Sequence, residues 1–238
     1  MKIEESEVWL LVGASRGLGF EFFKKVQELQ TPRDRPIRMV LLSRTQGSLA
    51  SLLREESWFS VDLSKPEEVE RFLELNLPPQ ITRLIYFAGG GPYGRFQAKN
   101  WKDHEWAWRV SFLSAARFLH YFLRSPHFKQ GIFIGSQIAE RNPDINAASY
   151  TAAKHALLGI ISTLQKEALE EKDTKKASLA HDLRLFSPGY MNTSLLPPTA
   201  WPRLGGAEVF EPGILAAELL QWMQDSNFSC QNWSKSTL

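Results

Sequence analysis

The sequence has little cysteine, little net charge and no long apolar run. Its single cysteine, Cys230, cannot form an intrachain disulfide and excludes a zinc site built from several cysteines. The formal net charge of +2, with no long basic run, gives no reason to expect a nucleic-acid or membrane partner. No apolar stretch approaches the roughly 20 residues of a membrane span, and the acidic start MKIEESE is unlike a signal peptide. We therefore expect a cytoplasmic protein without a metal site.

What is present is typical of a globular α/β domain. With 238 residues, 43% of them hydrophobic, the chain suits one domain over residues 1–238. Short apolar runs alternate with helix-like segments, which predicts an α/β fold with a parallel sheet. The predicted strands are Val8–Val12, Ile37–Leu42, Trp58–Val61, Ile81–Phe87, Gly131–Gly135 and Leu183–Phe186.

A glycine-rich turn follows the first predicted strand and opens a helix. It reads Gly13-Ala14-Ser15-Arg16-Gly17-Leu18-Gly19, with the spacing GxxxGxG. Small residues there let backbone amides approach a pyrophosphate at a helix N-terminus, where the helix dipole favours negative charge. A tight turn without a ligand is the alternative that this motif alone leaves open.

The ends of the next strands indicate which nucleotide would bind. The second strand ends at Ser43-Arg44, where an acid would contact a ribose hydroxyl and an arginine accommodates a 2′-phosphate. Arg44 and Arg16 together favour NADP(H) over NAD(H). After the third strand, Asp62-Leu63 could contact the adenine or could have only a structural role in the turn. Ser64 is a candidate N-cap of the next helix.

The candidate chemistry is centred on Tyr150 and Lys154. They are four residues apart at the start of an apolar-periodic run, Ala152–Leu169, so a helix would place both on one face. A nearby ammonium would lower the pKa of the tyrosine, which could then exchange a proton with a carbonyl or an alcohol. A surface tyrosine and lysine on an amphipathic helix is the alternative.

With Ser136 ahead of that pair, the chain resembles the short-chain dehydrogenase/reductase family over roughly Val8 to Thr193. The resemblance rests on an ordered set of motifs: Gly13-x-x-x-Gly17-x-Gly19, Asp62-Leu63, Ala88-Gly89 within the run Ala88-Gly89-Gly90-Gly91, Ser136, Tyr150-x-x-x-Lys154 and Pro188-Gly189-x-x-x-Thr193. It implies a Rossmann-type, doubly wound and mainly parallel sheet flanked by helices. It also implies an NADP(H)-dependent, carbonyl reductase-like enzyme that moves hydride between nicotinamide and a small carbonyl or alcohol substrate.

The resemblance also implies a role for each site residue. Tyr150 would be the acid/base and Ser136 would hydrogen-bond the substrate oxygen. Lys154 would hold the nicotinamide ribose and lower the pKa of Tyr150. The segment that contains Pro188, Gly189, Met191 and Thr193 would pass beside the nicotinamide.

The chain departs from the family pattern in three places. Phe87 stands where an asparagine usually precedes Ala88-Gly89, and packing would replace its hydrogen bond. Ser111 aligns with the catalytic asparagine that holds a water leading from Lys154 to solvent. Residues 226–238 lack the usual glycine-containing last strand, which leaves that sheet edge unassigned. The change at Ser111 keeps open an alternative function, an NADP(H)-binding sensor or subunit with little catalysis.

The resemblance places a substrate lid at residues 194–211. This segment is apolar and rich in proline, and Tyr93, Gln137 and Tyr190 would be its neighbours at the substrate, so an apolar or aromatic ketone fits better than a charged sugar. A segment that packs on its own domain without selecting a substrate is the alternative. A sugar-nucleotide epimerase is excluded because the chain after Thr193 is too short for the extra substrate domain.

The long predicted helix 101–124 is apolar around most of its circumference, more than a sheet can cover. The family pairs this helix and the helix from Tyr150 across a two-fold axis. We therefore expect a homodimer or homotetramer.

Overall fold

The computed structural model describes residues 7–29, 37–53, 57–78, 80–141, 143–172, 181–223 and 230–235. The sequence also predicts a loop over residues 31–36. This loop and most of the segment 226–238 lie outside the described ranges. Nine strands and seven α-helices are described. The strands are β1 Val8–Val12, β2 Arg38–Ser43, β3 Ser57–Ser60, β4 Arg83–Tyr86, β5 Gln130–Ile134, β6 Asp182–Ser187, β7 Tyr190–Met191, β8 Val209–Phe210 and β9 Asn232–Ser234. The helices are α1 Gly17–Leu29, α2 Pro66–Arg71, α3 Trp101–Trp108, α4 Ser114–Phe122, α5 Gln137–Glu140, α6 Ala148–Lys172 and α7 Pro212–Met223.

Seven strands form one parallel sheet in the order β3-β2-β1-β4-β5-β6-β9, and β7 pairs with β8 in a small second sheet. The predicted fold class is therefore confirmed. From β1 the chain moves outward to β2 and β3, then returns to place β4 on the other side of β1. This reversal opens a crevice at the carboxyl ends of β1 and β4, the usual ligand position in such sheets.

Helices cover both faces of the sheet, and strand side chains alternate between two cores. In β1, Leu10 points into a core closed by α2, α4 and α6, whereas Leu11 points into a core closed by α1 and α7. Both side chains are fully buried. This two-sided burial explains why the strands read as continuous apolar runs rather than as alternating patterns.

The predicted helix 101–124 is observed as two helices joined by a π-helical turn. The α-helices α3 and α4 flank the five-residue turn Arg109–Leu113. A π-turn adds a residue to the helical repeat and changes which side chains face inward. Here Ser111, within the turn, is completely buried.

One local prediction is wrong, and the structure assigns one sheet edge that the sequence left unassigned. Ser64 is not the N-cap of α2, because the helix begins at Pro66 after Lys65 and the Ser64 hydroxyl instead donates to Asp62 Oδ1 at 2.7 Å. The sheet edge near the C-terminus is formed by β9, in which the Trp233 ring stacks on Phe186 at 3.9 Å between centroids. An aromatic contact stabilises this last strand, and no glycine-containing motif marks the strand in the sequence.

Candidate active site

A cleft of about 390 Å³ lies at the carboxyl ends of the central strands. Its wall contains most of the residues predicted to bind the cofactor: Gly13, Ser15, Arg16, Gly17, Leu18, Gly19, Ser43, Arg44, Asp62, Leu63, Ala88, Gly89, Met191 and Thr193. Residues from the glycine turn, three strand ends and the segment after β6 therefore meet around one space. We call this space the long cleft.

The glycine turn forms the floor of the long cleft because side chains cannot fit there. A Cβ on Gly13 would lie 2.7 Å from the backbone nitrogen of Ala88, and one on Gly19 would lie 2.5 Å from the Gly13 carbonyl oxygen. Gly13 also has a φ of +88°, which side chains disfavour. Backbone amides at the start of α1 are thus open to a ligand, and these residues fit the diphosphate of a dinucleotide.

Two exposed arginines line the long cleft, one in the glycine turn and one just after β2. Arg16 and Arg44 both line it, and the charge of Arg44 acts on the neighbouring Asp62. Burial would raise the pKa of Asp62, but hydrogen bonds from Ser64 and the charges of Arg44 and Lys65 outweigh it and leave that pKa lowered. Asp62 Oδ1 accepts hydrogen bonds from both the backbone N–H and the hydroxyl of Ser64, so this carboxylate stabilises the turn after β3.

A smaller pocket of about 70 Å³ adjoins the long cleft and shares Met191, Thr193 and Leu195 with it. Ser136 and Tyr150 both line this small pocket. Of the predicted substrate neighbours, Tyr93 and Tyr190 line it as well. Gln137 does not: its side chain is buried, and its Nε2 has no partner among the described residues.

Lys154 lies beneath the cleft rather than in its wall. Its Nζ donates to the Ile134 carbonyl oxygen at 2.6 Å, and a Cβ on Gly89 would lie 2.9 Å from this nitrogen. Burial lowers the pKa of Lys154 from 10.5 to about 7, so its charge is partial at neutral pH.

The predicted effect of Lys154 on Tyr150 is not observed. Burial raises the pKa of Tyr150, and a hydrogen bond with Ser136 opposes that increase without reversing it. The Lys154 Nζ lies 5.7 Å from the centroid of the Tyr150 ring and is itself only partly charged near neutral pH. The phenol is therefore held as a proton donor.

Contacts around the start of α6 position Tyr150. A Cβ on Gly91 would lie 2.9 Å from Tyr150 Cβ, so the tyrosine packs directly on glycine backbone. The preceding residue, Ser149, has its hydroxyl 2.7 Å from Nδ1 of His104 on α3. These contacts fix the first turn of α6 against α3.

Ser111 does not stand free beside Lys154. Its hydroxyl donates to the Gly90 carbonyl oxygen at 2.9 Å and accepts the Gly90 N–H at 2.9 Å. Gly90 itself lies under Trp106 and Leu195, since a Cβ there would meet both side chains within 3.1 Å. Ser111 thus holds the glycine run of the cleft wall, a role that differs from the water-holding role implied by the resemblance.

Other predicted residues lie close to the two spaces without lining the long cleft. Gly90, Lys154 and Pro188 line neither space, whereas Tyr150 and Gly189 line the small pocket. The Pro188 carbonyl accepts the Gln137 N–H at 3.1 Å. Phe87 lines the long cleft and packs on Phe22 with ring centroids 5.2 Å apart, as expected for packing in place of the missing asparagine.

Sequence reasoning missed two polar residues near the small pocket. Asp144 lines the pocket and accepts four hydrogen bonds. Arg203 anchors the predicted lid by donating to the carbonyl oxygens of Thr193 and Leu196 and to Asn192. Neither lies in a motif, and Asp144 follows a proline in a segment that reads as a simple turn.

The comparisons with known proteins agree with this geometry. A family model described as short chain dehydrogenase matches residues 7–196. A search of curated proteins found no significant match. Among solved structures, an alcohol dehydrogenase from the archaeon Thermococcus sibiricus complexed with 5-hydroxy-NADP has a TM-score of 0.75 at 17% identity, covering 98% of this chain and 97% of its own.

Two bacterial structures are similarly close in fold. A short-chain dehydrogenase from Streptomyces avermitilis has a TM-score of 0.77 at 17% identity, covering 98% of this chain and 89% of its own. One from Burkholderia cenocepacia in complex with NADP has a TM-score of 0.76 at 16% identity, covering 96% of this chain and 95% of its own. These likenesses show the fold, and the family model spans well over half of the sequence. The chain therefore belongs to the short-chain dehydrogenase family of oxidoreductases.

Proposed function

We propose that this protein transfers hydride reversibly between NADP(H) and a small carbonyl or alcohol substrate. The observation that carries the proposal is the position of Ser136 and Tyr150 together in a small pocket that shares a wall with a glycine-floored cleft. Similar structures from two organisms were solved with 5-hydroxy-NADP and with NADP, which supports the choice of nucleotide.

The residues present fit the cofactor along the length of the cleft. The glycine turn and the start of α1 would hold the diphosphate, and Arg16 and Arg44 would hold a 2′-phosphate. Met191 and Thr193 belong to both spaces, so they would lie beside the nicotinamide. When bound, the nicotinamide supplies or accepts the hydride.

Side chains of the protein would carry out the proton transfer. In reduction, Ser136 would hold the substrate oxygen by a hydrogen bond, and Tyr150 would donate its proton to that oxygen. The raised pKa of Tyr150 keeps the phenol protonated, which suits it to this direction. In oxidation the phenol must first lose its proton, so we expect that direction to accelerate as the pH rises.

Replacement of Tyr150 tests the proposal. Tyr150→Phe should lower turnover by about 10² to 10⁴ because a positioned acid is lost, while the dissociation constant for NADPH stays unchanged. Stopped-flow oxidation of NADPH with reactive dicarbonyls measures the first quantity, and fluorescence titration measures the second. Tyr121→Phe, on α4 and away from both spaces, is the control. Wild-type turnover in Tyr150→Phe would contradict the assignment.

A second function, an NADP(H)-binding sensor or subunit, is favoured by the contacts of Ser111. Both hydrogen bonds of its hydroxyl go to Gly90, which leaves it poorly placed to hold a water for a proton relay. The same single-turnover experiment separates the two functions. A sensor would bind NADPH tightly and oxidise none of it with any carbonyl compound supplied.

A further inference from the structure

The small pocket contains an ionisable side chain that the proposed proton transfer does not use. Asp144 lies in the loop between α5 and α6 and lines the pocket together with Tyr150. It is only 7% exposed. A carboxylate is rarely buried in such a position without a cation beside it.

The hydrogen bonds of Asp144 all come from neutral donors. Its Oδ2 accepts from the hydroxyls of Tyr190 at 3.0 Å and Tyr93 at 3.3 Å and from the indole N–H of Trp201 at 3.0 Å, and its Oδ1 accepts the Asn146 N–H at 2.9 Å. Burial and then the Asp144 carboxylate raise the pKa of Tyr190, so this phenol stays a donor. Both oxygens of the Asp144 carboxyl therefore act as hydrogen-bond acceptors.

Within the described part of the chain, no positive side chain of the small pocket offsets this carboxylate. Among the described residues, no lysine, arginine or histidine lines the pocket, and Asp144 forms no ion pair. Arg203 is near the rim, but its guanidinium donates to oxygen atoms of Asn192, Thr193 and Leu196 and does not line the pocket. Hydrogen bonds from neutral donors stabilise the carboxylate of Asp144, but they do not neutralise its negative charge.

We propose that Asp144 makes the small pocket select substrates by charge, admitting neutral and cationic carbonyl compounds and disfavouring anionic ones. This inference rests on the proposed function and defines its substrate class. An anionic group in the pocket would lose water and meet a like charge, both of which cost free energy. A cationic group would instead gain a partner, and rejection by an unfavourable charge is a common source of specificity.

A purely structural role for Asp144 is the competing explanation. The carboxylate joins the lid, through Trp201, to Tyr190 and Tyr93. If it served only as this anchor, its replacement would lower activity on all substrates alike. A dependence of activity on substrate charge therefore distinguishes charge selection by Asp144 from a purely structural role.

The test uses three aldehydes of one shape with different charges. With NADPH, the wild-type protein should reduce para-carboxybenzaldehyde with a kcat/KM at least about tenfold below that for benzaldehyde, given the like charges a few ångströms apart. It should reduce para-(trimethylammonio)benzaldehyde at least as well as benzaldehyde. Asp144→Asn, which removes the charge and keeps the size, should raise the anionic-to-neutral ratio about tenfold and lower the cationic-to-neutral ratio. Tyr190→Phe removes a donor but no charge and should leave both ratios unchanged.

The outcomes distinguish this inference from the proposed function. Equal wild-type kcat/KM values for all three aldehydes overturn charge selection, whether or not Asp144→Asn folds. Ratios that stay the same in a folded Asp144→Asn variant also overturn it. If no aldehyde is reduced, the proposed function is at fault, and calorimetry of the three corresponding benzyl alcohols with NADP present decides the inference. The anionic alcohol should then bind most weakly, and equal binding or no binding by any of them would refute the selective pocket.

Discussion

The buried ammonium of Lys154 should make the stability of the protein depend on pH. Its pKa is about 7 in the folded protein and near 10.5 when the chain is unfolded. Between these values the unfolded chain binds a proton that the folded protein does not, so the free energy of unfolding rises with pH. Below about pH 7 the cost of burying the charge is fully present.

We expect this contribution to reach a slope of up to about 1.4 kcal/mol per pH unit in that window. Urea unfolding of the wild type and of Lys154→Met at several pH values measures it, since other titrating groups cancel in the difference. Lys154→Met should flatten the dependence, and Lys166→Met, at an exposed position on the same helix, should not. Parallel curves for the wild type and Lys154→Met would contradict the lowered pKa.

Arg44 is the residue at which nucleotide preference should be decided. Its guanidinium is exposed at the wall of the long cleft, where an acid would instead favour NAD(H). Arg44→Ala should weaken NADPH binding about tenfold or more, the value of a charge-assisted hydrogen bond, and leave NADH binding nearly unchanged. Titrations with both nucleotides check this. Arg38→Ala, exposed at the other end of β2, is the matched control, and equal weakening of both nucleotides by Arg44→Ala would refute the prediction.

At the scale of elements, the π-helical turn between α3 and α4 connects a helix to the wall of the long cleft. The turn places Ser111 against Gly90, where one hydroxyl satisfies both a backbone N–H and a carbonyl. Unpaired buried backbone groups are costly, so this contact should stabilise both the turn and the glycine run. The family asparagine is larger, and nothing about the sequence alone indicates that a serine could form both bonds.

Ser111→Ala should therefore reduce the free energy of unfolding by about 1–3 kcal/mol and lower kcat/KM, because Gly90 loses both partners. Denaturant unfolding and steady-state kinetics measure the two effects. Ser114→Ala, one turn later, removes a comparably buried hydroxyl that donates to the Leu63 carbonyl at 2.6 Å. An equal loss of kcat/KM in both variants would show that the effect is general destabilisation rather than the loss of Gly90's partner.

At the scale of the whole molecule, large apolar side chains remain exposed on the helices predicted to form an interface. Trp101 is 67% exposed and Leu113 is 53% exposed, on α3 and on the π-turn that follows it. Leu169, on α6, is also exposed. None of the described helices is long and apolar enough to cross a membrane. We propose that a second copy of this chain covers the exposed side chains, because exposed apolar patches mark interaction sites and the family resemblance pairs these helices across a two-fold axis.

Sedimentation at micromolar concentration should show a homodimer or homotetramer rather than a 27.1 kDa monomer. Leu113→Arg should dissociate it without unfolding the subunit, because this side chain is exposed in the isolated chain. Leu75→Arg changes a leucine outside those helices that is even more exposed than Leu113, at 76%, and should leave the assembly intact. A wild-type monomer would refute the proposed interface.

The sequence by itself determined the strand order along the chain and the family. Short apolar runs such as Val8–Val12 indicate strands because a strand in a sheet buried on both faces needs apolar side chains on both of its sides. The glycine turn could be identified because Gly13 needs a positive φ and close backbone contact, which are local demands. The family resemblance paired Ser136 with Tyr150, and both line one pocket in the structure.

Only the tertiary structure decided the electrostatics and the contacts between segments distant in sequence. Spacing placed Lys154 beside Tyr150, but burial determined that the pKa of the lysine falls and that of the tyrosine rises. Spacing could not show that Asp144 would meet Trp201, 57 residues away. It also could not show that Trp233 would close the sheet by stacking on Phe186. These properties depend on what surrounds a side chain in three dimensions, and solvent exclusion and through-space contact have no local pattern in the sequence.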